Sequence, residues 1–122
     1  MSGDGTPLSV SSERREDTVV IIVAGQLDLS VVQELDAALA DGAVDGARGV
    51  IVDMTELEFM DSSGLRALLL SADRFGTAGL PWAVALGKHS PVRRLLALSG
   101  VEDRLPLFTS RDEAVGSLSS GG

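Results

Sequence analysis

The apolar positions of this chain change period several times, and each change predicts an element. Residues 8–10 and 18–24 (TVVIIVA) are β-branched runs on either side of the charged stretch 13–17, the pattern of an antiparallel hairpin with a buried second strand. After Gly25 the period lengthens: Val31, Val32, Leu35, Ala38 and Leu39 fall on one helical stripe, with Ser30 and Gln33 spaced as a capping box and Gly42 as its stop. Residues 49–53 (GVIVD) read as a short buried strand. Leu65, Leu68, Leu69 and Ala72 then form a second helical stripe that ends near Gly76. Residues 82–86 predict another strand, followed by a helix with Ser90 as cap, Pro91 at its first position and Gly100 as its end. Residues 105–108 predict a last short strand, and Ser110 with Glu113 makes a capping box for a terminal helix of about two turns.

Strands alternating with helices imply right-handed βαβ crossovers, so the fold class is α/β. The expected architecture is a small mixed β-sheet of four to five strands with about four helices packed against it, mixed because the chain opens with a hairpin. Residues 1–7 and 117–122 are small and polar and are expected to be flexible tails, leaving one domain at 8–116. The working surface of such a sheet lies at the carboxyl ends of its parallel strands.

Composition narrows the function classes. The 122 residues are 44% hydrophobic, enough for one core that buries about two-thirds of the surface the unfolded chain exposes. With no cysteine there is no disulfide framework, thiolate nucleophile or thiolate-rich metal site. No apolar stretch reaches the ~20 residues a bilayer demands and no secretory signal opens the chain, so a cytoplasmic location is expected, without a membrane partner. The net charge of −8 and a pI near 4.4 disfavour nucleic acid as a direct partner. That charge is uneven, −10 over residues 1–61 and +2 over 62–122. The acidic half is either a docking surface for a partner or a solvated face.

Two strand-to-helix loops carry the candidate chemistry: residues 25–30 (GQLDLS) and 55–64 (TELEFMDSSG). In the second, either Asp61 or Ser62 serves as N-cap of the Leu65 helix, with Ser63 in or next to the first turn. Asp-Ser-Ser-Gly is in itself a good helix start. Capping uses one side chain, however, and leaves a hydroxyl beside Gly64 accessible to another protein's active site, as a phosphoacceptor requires. His89 reads as a surface or cap residue. No Gly-x-Ser-x-Gly elbow and no Gly-rich phosphate loop occurs, so neither hydrolase chemistry nor nucleotide binding has a motif, and no metal or cofactor is expected. Arg93 and Arg94 read as the solvated face of their helix, and Phe59, Met60 and Trp82 as core or loop packing.

Gly25-Gln26-Leu27-Asp28, the stretch from Phe59 to Leu65 (FMDSSGL) and the stretch from Ser90 to Leu96 (SPVRRLL) followed by Ser99-Gly100 together resemble the anti-sigma factor antagonists, whose fold is named STAS. The resemblance spans about residues 8–115. It implies a non-enzymatic regulator that binds an anti-sigma factor serine kinase and frees the sigma factor. It also implies phosphorylation of Ser63 that blocks binding, and a serine phosphatase that reverses it. Asp28, Ser30, Asp61, Ser62 and Gly64 are implied as the acceptor-site or partner-binding residues around it. Gln26 departs from the Glu often found there. The alternative is a STAS scaffold or accessory subunit of a signalling assembly or lipid transporter.

A phosphoryl group on Ser63 adds about −1.5 to −2 charge at a helix N-terminus, which tolerates an anion, while Asp28, Glu56, Glu58 and Asp61 stand around it. The expected consequence is release of a partner by interface repulsion with the fold intact.

Overall fold

In the computed structural model of the chain, which describes residues 6–44 and 46–120, the continuous apolar runs become strands covered on both faces. The order of elements is β1 (Ser9–Arg15), β2 (Thr18–Leu27), α1 (Val32–Val44), β3 (Gly49–Met60), α2 (Ser62–Ala78), β4 (Trp82–Ala85), α3 (Pro91–Ser99), a 3-10 turn (Glu102–Arg104), β5 (Leu107–Phe108) and α4 (Arg111–Ser120). The sheet runs β1-β2-β3-β4-β5, with β1 antiparallel to β2 and the other neighbours parallel. The mixed five-stranded sheet and four helices are the architecture that the alternation predicts.

One face of the sheet packs on α1, α2 and α3: Val19, Ile21, Val23 and Val52 meet Leu35, Leu39, Leu68, Phe75 and Leu96. The other face is narrower. There Val20, Ile51, Ala83 and Ala85 meet Ala114 of α4, small side chains that let the helix lie close.

Several boundaries differ from the pattern's prediction, each for a local reason. The charged residues Glu13, Arg14 and Arg15 belong to β1, an exposed edge strand whose outward positions tolerate charge. The turn is only Glu16 and Asp17, with Glu16 at φ 56. α1 continues past Gly42 to Val44 and α2 past Gly76 to Ala78, because one glycine costs a helix only about 1 kcal/mol and does not by itself stop it. What ends α2 is Gly79 at φ 66, with the Leu80 amide returning to the Phe75 carbonyl at 2.9 Å. The α3 signals act as read: the Ser90 hydroxyl accepts the Val92 amide, Pro91 leads, and Gly100 closes at φ 68.

Residues 117–120, predicted as tail, are the last turn of α4, where Leu118 packs against the smaller cluster. Residues 1–5 and 121–122 of the predicted tails lie outside the described residues. Thr6 and Pro7 lie against β2, where the Gln26 amide donates to the Thr6 carbonyl at 3.1 Å.

Candidate functional site

Strand register builds the site. Half of the first predicted loop and most of the second are strand: β2 runs on through Leu27 and β3 through Met60, and these ends pair in parallel, with Leu27 beside Met60. Register shifts between Ile22 and Ala24 and between Gly25 and Gln26 absorb the irregularity. Gly25 sits at φ 90, and a Cβ there would lie 2.2 Å from the Pro7 carbonyl oxygen, so only glycine fits. Because Leu27 and Met60 are partners, the residues that follow them, Asp28 and Asp61, emerge side by side at the carboxyl edge of the sheet.

Asp61 is the N-cap of α2, which resolves the choice between it and Ser62. Its Oδ1 accepts the Ser63 amide at 2.9 Å, the Ser63 hydroxyl at 2.5 Å and the Gly64 amide at 3.4 Å. Its Oδ2 accepts the Leu29 amide at 3.2 Å, and its own amide donates to the Leu27 carbonyl at 3.2 Å. One carboxylate thus ties the β2–α1 loop to the start of α2. Desolvation raises the Asp61 pKa, but the hydrogen bonds from Ser63, Gly64 and Leu29 outweigh it and hold the group below the ordinary carboxylate value.

Asp28 closes a tight turn of its own, its Oδ1 accepting the Ser30 amide at 3.0 Å and the Ser30 hydroxyl at 2.5 Å. The capping box predicted between Ser30 and Gln33 is not formed: α1 starts at Val32, which leaves Ser30 one residue before the cap position, with its hydroxyl donating to Asp28. Ser62 is exposed at the first helical position and Ser63 is half-buried at the second. Gly64 is buried, and a Cβ there would meet Met60 Cγ at 2.5 Å and Leu27 Cδ2 at 2.7 Å, so glycine lets α2 begin directly on the strand ends.

The six residues singled out by sequence, Asp28, Ser30, Asp61, Ser62, Ser63 and Gly64, come together at this corner. Sequence reading missed the Leu29 amide, a backbone group with no residue-type signal, and the exposure of Phe59. Met60 is buried and Trp82 packs on Phe75 at 5.3 Å between ring centroids, but Phe59 is 48% exposed. Arg93 is not on a solvated face: its guanidinium donates to the Leu86 carbonyl at 3.0 Å and the Gly87 carbonyl at 3.4 Å, holding the β4–α3 loop. Arg94 and His89 are exposed.

A second polar cluster lies near the far face. Asp53, 5% exposed, accepts Arg111 Nε on Oδ2 at 2.7 Å and the amide and hydroxyl of Thr55 on Oδ1 at 2.9 and 2.7 Å. Burial raises its pKa, and the Thr55 and Arg111 bonds more than reverse that. Among the described residues no group of three His, Asp or Glu side chains is placed to hold a metal ion, and no helix is long and apolar enough to cross a membrane.

Residues 9–114 match the STAS domain family. Over 114 residues the chain is 25% identical to the anti-sigma-F factor antagonist RsfB of Mycobacterium tuberculosis, covering 93% of this chain and 92% of that protein. In structure it is similar to an anti-sigma factor antagonist from Mycobacterium paratuberculosis, with a TM-score of 0.84, 22% identity and coverage of 93% and 95% of the two chains. It is also similar to the anti-sigma factor antagonist SpoIIAA in its unphosphorylated form, with a TM-score of 0.72, 26% identity and coverage of 92% and 97%.

Proposed function

The chain belongs to the STAS domain family, and on that premise we propose that it is an anti-sigma factor antagonist gated by phosphorylation of Ser63. In this reading the unphosphorylated form binds an anti-sigma factor that is also a serine kinase and so frees the sigma factor. The kinase transfers the γ-phosphoryl group of its ATP to Ser63 Oγ as the hydroxyl proton leaves, and the antagonist is released. A serine phosphatase hydrolyses the ester and restores it. The protein itself does no chemistry and works in the cytoplasm.

The observation that carries this reading is the Ser63 hydroxyl, half-exposed at a helix entrance and oriented by Asp61. Ser62 is the more exposed neighbour, but only the Ser63 hydroxyl is held by that carboxylate among the bonds of Asp61. A dianion on Ser63 joins a corner that already holds Asp28 and Asp61. A partner surface fitted to a neutral hydroxyl must then desolvate that charge, and a penalty of about 2.8 kcal/mol weakens binding about a hundredfold. Unpaired charges in interfaces cost roughly 2–5 kcal/mol. Relatives named as anti-sigma factor antagonists favour this reading over a scaffold or accessory subunit.

The test is mass spectrometry of the cellular protein for phosphate on Ser63 versus Ser62, followed by binding of both forms to the kinase that co-purifies. Phosphate on Ser63 with loss of kinase binding is expected. Phosphate on Ser62 alone, or equal binding by both forms, overturns the proposal.

A further inference from the structure

At the same sheet edge, β3 and α3 enclose a groove of about 310 Å³. Met60, Val92 and Leu95 form its floor, and Phe59 and Leu98 stand on its walls, 48% and 75% exposed. A scattered exposed leucine is ordinary, but two large apolar side chains facing one concavity are not scattered. Glu58 and Arg94 line the same groove and give it one charge of each sign.

We infer that this groove receives a large apolar side chain of the same anti-sigma kinase that contacts Ser63, carried on a segment that sets a cation against Glu58. The inference rests on the reading of the previous subsection. Continuity is the first argument: Met60 is both the groove's floor and the side chain packed directly beneath Gly64, so groove and Ser63 corner are neighbouring parts of one surface. Area is the second. A specific interface buries about 800 Å² on each partner, far more than one helix entrance offers, so a protein seated on Ser63 must spread over adjoining surface. Charge is the third: Glu58 lines the groove three residues before Asp61, which emerges next to Asp28 at the strand ends, so a basic segment complements this acidic side, while Arg94 fixes which way round the segment lies. The apolar walls supply the buried anchor that such interfaces concentrate their energy in.

The test places a photo-cross-linking residue at Leu98 and, in a separate chain, at Leu29, in the full-length protein within its own cells, with adducts identified by mass spectrometry. Leu29 is 73% exposed and its amide is bonded to Asp61, so it reports on the Ser63 corner without belonging to the groove. Both positions are expected to join one serine-kinase anti-sigma factor, the Leu98 adduct mapping to a large apolar residue next to Lys or Arg. With the kinase so identified, Leu98→Ala is expected to lower affinity at least tenfold, with thermal melting unchanged. If Leu29 joins the kinase while Leu98 joins nothing, a second copy of this chain or a different protein, the groove inference fails and the Ser63 reading stands. If neither position joins such a kinase, the Ser63 reading itself fails.

Discussion

The Ser63 hydroxyl donates to Oδ1 of Asp61 at 2.5 Å, and the same oxygen accepts the Ser63 amide at 2.9 Å. The anion site at the start of α2 is therefore already filled by a carboxylate. A phosphoryl group on Ser63 arrives as a competitor: its ester oxygen has no proton to donate, and its charge faces Asp61 across hydrogen-bond distance. The helix entrance tolerates an anion, as its macrodipole dictates, but two anions must now share it.

Phosphorylation of Ser63 is accordingly expected to leave far-UV circular dichroism unchanged while lowering the melting temperature by a few degrees. The loss is that of one capping interaction, about 1 kcal/mol, in a domain of this size. Affinity for the anti-sigma kinase should fall about a hundredfold in the same sample. Loss of secondary structure on phosphorylation would show that the switch works by unfolding.

Asp61→Ala removes the acceptor for three amides and a hydroxyl at once. Stability to urea is expected to drop by about 1–2 kcal/mol, the upper part of the range for N-cap truncation because the Leu29 loop is released too. Asp61→Asn keeps an oxygen acceptor for the Ser63 and Gly64 amides and should lose less than half as much. The discriminating measurement is the rate of Ser63 phosphorylation: it should fall in both variants, since both lose the carboxylate that orients the hydroxyl.

Gly64→Ala sets helix propensity against packing. Alanine is the better helix former by about 1 kcal/mol, but its Cβ would lie 2.5 Å from Met60 Cγ and 2.7 Å from Leu27 Cδ2. Met60 Cγ is mid-chain and buried, so relief requires the start of α2 to move. Overpacking of this kind costs about 1–3 kcal/mol, so after the propensity gain a net destabilisation of up to about 2 kcal/mol is expected, together with weaker kinase binding. A chemical denaturation midpoint at or above that of the wild type would show that the corner has room.

Much of this corner was legible because residue types advertise their roles there. Asp61, Ser63 and Gly64 form a cap, a hydroxyl and a close approach within four residues, and Ser90, Pro91 and Gly100 mark both ends of α3. What misled was punctuation read in isolation. Gly42 and Gly76 resemble helix stops, yet no left-handed turn forms at Gly76, and Gly79 three residues on supplies it. The stretch 55–60 looks like a loop because Glu56 and Glu58 interrupt it, but Leu57 and Met60 are buried while the acids face outward, and β2 pairs with it. Ser30 and Gln33 have capping-box spacing, but Asp28 two residues earlier makes its own turn with the serine, and the helix starts later than that spacing implies. The Asp53–Arg111 pair is invisible for a different reason: its members lie 58 residues apart and meet only because α4 folds back over β3.

That pair fixes an acid dependence. Asp53 has its pKa lowered in the fold by its bonds to Thr55 and Arg111, which overcome its desolvation. Between this lowered value and the ordinary one near 3.9, the unfolded chain binds the proton and the folded chain does not, so stability rises with pH through that window. The contribution is complete above the ordinary value and is lost as pH falls through the folded one; Asp61 adds a contribution of the same sign. Arg111→Ala strands a carboxylate that is 5% exposed. Removing one member of a buried pair costs about 3–5 kcal/mol, reduced here to about 2–4 kcal/mol at pH 7 because the Arg111 side chain is itself 29% exposed. Glu13, 3.5 Å from Arg111 and half-exposed, contributes little to that figure. Lowering the pH protonates the stranded Asp53 and removes its charge, so the gap between wild type and Arg111→Ala should narrow steadily below pH 4. Urea unfolding of the two proteins between pH 7 and pH 3 measures this directly; a gap that stays constant across that range would mean that Arg111 stabilises α4 by packing alone.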